Sequence, residues 1–273
     1  VPAFVVTLGL FLGYQGLALL IIGDGGLYRL QVPELVAIQN SNLPVWAGWA
    51  LLVVMLLISG GTSWWDRRRR ARAGVPNRTL SVVWIKLAAI AVIGGIVVFV
   101  LNQNRGQSVI AVEGVPVIVP IVLAVLWIGT FVLDRTKFGR YIYAIGGNKE
   151  AARRSGVKVR LIMWWAFVIC STLAVLSALF SVARVGSVDA TVGRDIVLSG
   201  VAAAVVGGVS LFGGKGRLVH AAIGALVIAV ITNGLGLLGL PAGINLLVTG
   251  GVLILAATVD ALSRLRSGGG ARI

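Results

Sequence analysis

Residues that build catalytic and metal centres are scarce in this chain of 273 residues. There is one cysteine, Cys170, one histidine, His220, and only nine Asp and Glu residues. A single cysteine excludes an internal disulfide and a cysteine-based metal site, and a single histidine argues against a multi-histidine site. The GxxxxGK[ST], GxSxG and HExxH patterns are absent as well. The sequence therefore predicts no catalytic residue, no metal and no cofactor.

Charge is equally scarce, and apolar residues dominate the composition. Only 12% of the residues are charged, 58% are apolar, and the mean hydropathy is +0.98. A soluble domain of this size has too little interior to bury so much apolar surface. Disordered chains have the opposite composition, with low hydrophobicity and high charge. The remaining class is a membrane protein that crosses the bilayer several times.

Eight apolar runs are each close to the roughly 20 residues that cross a hydrocarbon core as a helix. The runs are continuous rather than alternating, which favours helices over a β-barrel. The predicted fold class is therefore an all-α polytopic bundle of about eight spans, at residues 1–22, 44–63, 80–101, 115–133, 161–182, 196–211, 218–238 and 244–262. Two of the four runs after Leu161 are also compatible with re-entrant or broken helices.

Lys and Arg segregate between alternate predicted connections. The even-numbered connections and the C-terminal tail carry 19 of these residues, whereas the odd-numbered connections carry four. Because cytoplasmic loops carry the excess of basic residues, the even connections and both termini are predicted to be cytoplasmic. The net charge of +15 and the arginines at residues 67–70 are then topology signals of a multi-pass protein of the cell membrane, not a nucleic-acid site.

The fourth predicted connection contains the pattern of a short capped helix. Asn148 is a favourable N-cap, and Glu150 in the first turn and Arg153 and Arg154 in the last turn suit the helix dipole. Gly156 can take the left-handed conformation that ends a helix. A helix of two turns is marginal alone, so we expect it to dock in the groove of a partner. A merely solvated loop is the alternative.

Three stretches of this sequence resemble a known family. They are the segment GRYIYAIGGNKEAARRSGVKV at residues 139–159, the glycine-rich VGGVSLFGGKG at residues 206–216, and the short motifs Gly-Ala, Asn-Gly and Leu-Leu-Gly that begin at residues 224, 233 and 237. The opening residues 1–8 also resemble a span of that family. The chain is thereby similar to the sugar permeases of ABC importers, and the basic insert WWDRRRRARAGVP resembles their xylose branch more than their ribose branch.

The resemblance implies a single permease domain over residues 1–273, which lacks the N-terminal spans of the family, with a cytoplasmic coupling loop at residues 134–160. It implies no ATP hydrolysis by this chain itself. The implied partners are an ATP-binding cassette subunit, an extracytoplasmic sugar-binding protein, a second permease copy and membrane lipid. Two departures stand out, because Val197 and Ser199 replace the usual acidic residues and His220 replaces a small one.

The resemblance also implies roles for individual residues. Coupling to the ATPase is expected at Gly146, Gly147, Asn148, Lys149, Glu150, Ala151, Ala152, Arg153, Ser155 and Gly156. A glycine-bounded turn near a gate is expected at Gly207, Gly208, Gly213, Gly214 and Gly216. Polar residues inside the spans are candidates for the sugar path, namely Thr7, Gln15, Asn233 and Asn245. Such residues also commonly hydrogen-bond a neighbouring helix, which is the alternative role.

Two other functions remain open from the sequence. One is a secondary transporter or channel that needs no ATPase, but such proteins use charged residues inside the membrane. The clear charge inside a predicted span is Lys86, and it lies near the start of its span. The other is a membrane fragment that does not transport. Association with an ATPase separates the importer from the first alternative, and sugar uptake separates it from the second.

Overall fold

The computed structural model describes residues 3–23, 27–29, 41–72, 74, 80–104, 113–189, 193–210 and 213–268. Within these ranges the chain forms ten helices and one pair of short strands. The helices are α1 (Ala3–Ile22), α2 (Val45–Arg72), α3 (Leu80–Asn102), α4 (Ile118–Arg135), α5 (Lys137–Gly147), α6 (Lys149–Arg154), α7 (Val159–Val185), α8 (Gly193–Val206), α9 (Leu218–Leu237) and α10 (Ala242–Gly268). The strands are β1 (Leu27–Arg29) and β2 (Ser187–Asp189).

Each of the eight predicted spans coincides with a helix. Five of these helices, α2, α3, α4, α7 and α9, are long and apolar enough to cross a membrane. The other three contain shorter apolar segments at Gly9–Ile22, Ile196–Val206 and Gly243–Val259. Many large apolar side chains on these helices are exposed, as expected for surfaces that face lipid. The predicted class, an all-α polytopic membrane protein, is confirmed.

Three helix ends differ from the predicted spans by five residues or more. Helix α10 continues to Gly268, six residues beyond the predicted end at residue 262. Helix α2 continues nine residues beyond residue 63, because the arginines that follow the apolar run are good helix formers. Helix α8 ends at Val206, five residues before the predicted end at residue 211. Gly208 has a φ of 84°, and its N–H donates to the carbonyl of Val205 at 2.8 Å, while the N–H of Val209 donates to that of Ala204 at 2.9 Å. These two bonds form a glycine-dependent helix stop that counting apolar residues does not detect.

The chain divides into two compact units, Val32–Leu123 and the combination of Val1–Gln31 with Ala124–Ile273. In the first unit, α2 and α3 pack as an antiparallel pair. Leu52 of α2 occupies the place where a side chain at Gly94 of α3 would lie, and Gly48 contacts Val98 in the same way. The Asn102 side chain at the end of α3 donates to a carbonyl at the start of α2 at 3.3 Å.

In the second unit, α8 packs against α9 and α10. The buried residues Ala202, Ala203 and Ile228 form its apolar cluster, and side chains of α8 and α10 cover them. Strand β1 follows α1 and pairs in antiparallel register with β2, which follows α7. The helix pair α8–α9 and the segment that contains α5 and α6 both belong to this unit, which therefore contains the candidate site.

Candidate functional site

The predicted capped helix is present, and a second helix that the sequence did not reveal precedes it. Thr136 caps the start of α5, where its Oγ1 accepts from the N–H of Gly139 at 3.4 Å. Asn148 ends α5 and begins α6. Its backbone N–H donates to the Ala144 carbonyl at 3.0 Å, and its Oδ1 accepts from the N–H of Ala151 at 3.0 Å. One residue therefore fixes the corner between the two helices.

Gly156 ends α6 as predicted. Its φ of 85° lies in the left-handed region, and its N–H donates to the Arg153 carbonyl at 3.1 Å. The N–H of Val157 donates to the Ala152 carbonyl at 3.1 Å. Together these bonds complete a Schellman motif, which satisfies the carbonyls at the end of the helix. Hydrogen-bonded caps thus stabilise both ends of a helix of only six residues.

Charged side chains cover the outer face of α6. The carboxylate of Glu150 pairs with Arg153 at 2.9 Å and with Arg154 at 3.4 Å. Exposed pairs of this kind contribute about 0.2–1 kcal/mol to stability, so their main effect is to order the charges on one surface. Ala152, on the opposite face, is only 4% exposed. The helix thus presents a polar face to solvent and an apolar face to the protein.

We call residues 207–217, which connect α8 to α9, the glycine loop; residues 211 and 212 lie outside the described part of the chain. The N–H of Ser210 donates to the Lys215 carbonyl at 3.1 Å, and the N–H of Gly213 donates to the Ser210 carbonyl at 3.1 Å. Gly213, Gly214 and Gly216 have φ values of 84°, 74° and 135°. Only glycine adopts this backbone path without strain.

The glycine loop and the end of α5 pack backbone against backbone. A side chain at Gly146 would collide with the backbone nitrogen of Gly214. A Cβ at Gly214 would lie 2.8 Å from the nitrogen of Gly147, and one at Gly213 would lie 3.2 Å from the Cα of Gly146. The four glycines therefore form a close contact, which we call the glycine interlock. It joins the two motifs that the sequence presented as separate.

Two side-chain contacts flank the glycine interlock. The Tyr143 hydroxyl donates to the carbonyl of Gly216 at 2.8 Å. The Arg217 guanidinium lies 3.3 Å from the Asp134 carboxylate at the end of α4. Burial, and then the neighbouring Asp134 carboxylate, raise the pKa of Tyr143 above its ordinary value of 10.0, while Arg217 opposes the rise. The protonated phenol, which is the form that donates the hydrogen bond, is thereby favoured.

The predicted path residues are spread over three helices. Thr7 and Gln15 lie on α1, Asn233 lies on α9 and Asn245 lies on α10. The Oδ1 atom of Asn245 is buried and has no hydrogen-bond partner among the residues that the structure describes. The sequence alone did not indicate roles for Asp134, Tyr143 and Arg217, because these roles depend on contacts between residues more than 70 positions apart.

Comparison with known proteins identifies the family. The family model described as "Branched-chain amino acid transport system / permease component" matches residues 1–257. The xylose transport system permease protein XylH of Haemophilus influenzae is 34% identical over 260 residues, which cover 95% of this chain and 67% of that protein. XylH of Escherichia coli is 35% identical over 269 residues, which cover 98% and 66% of the two chains.

The ribose import permease protein RbsC of Escherichia coli is 43% identical over 147 residues, which cover 54% of this chain and 46% of that protein. No solved structure matches the chain. The all-α membrane fold and these relatives define a permease of the ABC transporter type. The chain belongs to the family of permease components that the family model describes. Its resemblance to sugar permeases of the xylose and ribose type is confirmed. It spans about two thirds of the length of its XylH relatives.

Proposed function

We propose that this chain is the membrane-spanning permease subunit of an ABC importer, and that it carries a monosaccharide, a pentose such as xylose, into the cytoplasm. Relatives named for xylose and ribose transport support this substrate class. The proposal includes one permease domain over residues 1–273, about eight spans and cytoplasmic termini. The segregation of Lys and Arg to alternate connections supports this topology.

The observation that carries the proposal is the arrangement of α6 beside the glycine interlock. Helix α6 is short, capped at both ends and polar on its outer face, which suits a helix that fits the groove of a partner. The partner in this proposal is an ATP-binding cassette subunit, which hydrolyses the ATP. The coupling residues are those at 146–153, 155 and 156, and they lie in the coupling loop at residues 134–160.

Closure of the ATPase subunits would push α6, and α5 would transmit the push to the glycine loop. The loop leads directly into α8 and α9, which pack closely against each other. The turn glycines at positions 207, 208, 213, 214 and 216 would allow this connection to change between two arrangements of the path. Transport then follows from a two-state element that the partner biases.

Two further partners belong to the proposal. A second permease copy would complete the path. Gly9 and Gly13 on α1 support this partner, because an added Cβ at either would meet nothing within 4 Å. The glycine face of α1 is therefore open to close approach by a helix of the second copy. An extracytoplasmic sugar-binding protein would deliver the substrate. Along the path, Thr7, Gln15, Asn233 and Asn245 are the proposed polar contacts; the unpaired oxygen of Asn245 supports its place among them.

The test is uptake of radiolabelled xylose, and ATP hydrolysis, by proteoliposomes that contain the chain, its ATPase and its binding protein. Replacing Glu150 by Arg reverses the charge at the centre of the α6 face, and adding Ala151→Asp moves the negative charge one residue away. Ala152 is unsuitable for a charge, because it is buried. We expect the double variant to insert normally but to lose most uptake per ATP hydrolysed.

The matched control is Arg184→Gln, which removes an exposed charge in the last turn of α7, outside the proposed coupling loop. Full uptake by the Glu150→Arg, Ala151→Asp variant would contradict the coupling role of α6. Uptake without any ATPase would favour a partner-free transporter. ATPase binding without uptake of any pentose would contradict the proposed substrate class.

A further inference from the structure

The proposed function does not use the end of α2, although this end holds the longest run of consecutive arginines in the sequence, at residues 67–70. Helix α2 has 28 residues, so it is about 42 Å long at a rise of about 1.5 Å per residue. Its apolar part, residues 45–64, covers about 30 Å, which is the thickness of a hydrocarbon core. The remaining residues therefore extend through the headgroup layer as a continuous helix. We call residues 64–72 the Trp–Arg segment.

Two arginines of the Trp–Arg segment lie over tryptophan rings one turn earlier. The Cζ of Arg68 is 5.2 Å from the ring centroid of Trp64, and the Cζ of Arg69 is 5.5 Å from that of Trp65. Trp64 and Trp65 are 62% and 60% exposed. Each ring therefore contacts a guanidinium on one face and leaves the rest of its surface open to the membrane. Stacking holds both guanidiniums at the depth of the indoles.

The depth of these groups is set by a neighbouring helix as well. The antiparallel register of α2 and α3 places Trp84 of α3 at the level of Thr62, about 3 Å along the axis from Trp64. Trp84 is also exposed. Tryptophans from two helices at one level form an aromatic belt, which marks the boundary between hydrocarbon and headgroups. The stacked guanidiniums therefore lie at the depth of lipid phosphates.

Several arginines of this segment have N–H donors that are available for hydrogen bonds to a ligand. Arg68, Arg69 and Arg70 form no ion pair with any residue that the structure describes. The Nη1 of Arg67 is buried and has no hydrogen-bond partner within the described ranges. A guanidinium offers a planar pair of N–H donors that matches two phosphate oxygens, whereas an ammonium acts as a point charge. Asp66 is the one acidic residue of the segment, so its five arginines leave an excess of positive charge, which an oxyanion at membrane depth would balance.

We propose that the Trp–Arg segment is a binding site for the phosphodiester headgroups of anionic phospholipids, with phosphatidylglycerol as the ligand to be tested. Arg68 and Arg69, held by their tryptophans, contact the phosphate, and the neighbouring arginines add long-range attraction. This role differs from a topology signal in a testable way. A topology signal needs only positive charge, so Lys serves as well as Arg, and it needs no indole.

The experiment measures the association of spin-labelled phosphatidylglycerol and spin-labelled phosphatidylcholine with the full chain in phosphatidylcholine membranes, by the motionally restricted fraction of the electron spin resonance spectrum. One variant, Arg68→Lys with Arg69→Lys, keeps the charge and removes the guanidiniums. A second, Trp64→Leu with Trp65→Leu, keeps the guanidiniums and removes the stacking. Arg184→Lys, at the end of α7, is the matched control.

We expect the wild type and the control to prefer phosphatidylglycerol, and each double variant to lose about two- to fivefold of that preference, the range that an exposed cation–π pair allows. The preference should also weaken as salt is added.

Equal association of both lipids with the wild type would overturn the proposal, as would an undiminished preference in the Lys variant. Displacement of phosphatidylglycerol by inorganic phosphate or by an RNA oligonucleotide would assign the segment to soluble polyanions and would overturn the lipid assignment. Circular dichroism of each variant verifies that its helices are intact.

Discussion

A single methyl group at Gly146 should separate ATP hydrolysis from sugar uptake. In the glycine interlock, a side chain at Gly146 would collide with the backbone nitrogen of Gly214. Neither partner has a rotamer that could relieve the collision, so α5 and the glycine loop must move apart. At the neighbouring Gly147, an added Cβ would meet nothing within 4 Å.

The magnitude follows from two opposing effects. Forcing an extra methyl group into a packed contact destabilises by about 1–3 kcal/mol. Replacing Gly by Ala inside a helix stabilises by about 1 kcal/mol. For Gly146→Ala the net loss is therefore up to about 2 kcal/mol, whereas Gly147→Ala gains the helical contribution without the collision. The thermal unfolding midpoint in detergent should be lower for Gly146→Ala than for Gly147→Ala.

Uptake per ATP hydrolysed in proteoliposomes tests the functional consequence. We expect Gly146→Ala to bind the ATPase, because α6 and its caps are untouched, yet to transport much less sugar for each ATP. Gly200→Ala in α8 is the matched control, since an added Cβ there also meets nothing within 4 Å. If Gly146→Ala matched Gly200→Ala in coupling and Gly147→Ala in stability, the interlock would not be a mechanical contact and the reasoning would fail.

Two further predictions concern the contacts beside the interlock. Tyr143→Phe removes the donor to the Gly216 carbonyl and should destabilise by about 1 kcal/mol. Because the pKa of Tyr143 is raised in the folded state, the stability that this pKa shift contributes is complete below pH 10.0 and is lost as the pH rises through the folded pKa. The difference in thermal unfolding midpoint between the wild type and the Phe variant should therefore shrink at alkaline pH. Reversing either charge of the Asp134–Arg217 pair should lower the free energy of unfolding by less than about 1 kcal/mol, because Arg217 is 65% and Asp134 30% exposed. The thermal midpoint should fall accordingly. Reversing both charges should restore it, and failure of the double variant to recover would show that the pair does not act through charge.

The sequence predicted well those features that depend on neighbouring residues. Asn148 and Gly156 cap α6 as their residue types indicate, because an N-cap and a left-handed C-terminal glycine depend on local hydrogen bonds. The apolar runs predicted the positions of all eight long helices for a similar reason. The end of α8 was missed because the stop at Gly208 depends on conformation, and a run of apolar letters does not report it.

The glycine interlock could not be predicted, although both of its halves were recognised as glycine motifs. Gly146 and Gly214 are 68 positions apart, and a single sequence does not reveal which glycines meet. His220 illustrates the same limit. The resemblance implied a small residue at this position. Gly207 nevertheless packs against the backbone carbonyl of His220, whose side chain is exposed. The close approach therefore constrains Gly207 and leaves the side chain at position 220 free.

The two backbone contacts on the proposed route from α6 to α8 and α9 are stiff. A side chain can absorb a displacement by changing its rotamer, but Gly146 and Gly214 have no side chain to rotate. The next contact along the proposed route has the same property, because Gly224 of α9 packs against the Ala203 carbonyl and a Cβ there would lie 2.6 Å from the nitrogen of Gly207. In the proposed mechanism, a push on α6 would thus reach the helix pair through two contacts that no side-chain rotation can relieve. Enlarging Gly224 should therefore uncouple transport as Gly146→Ala does, although the two sites lie in different contacts.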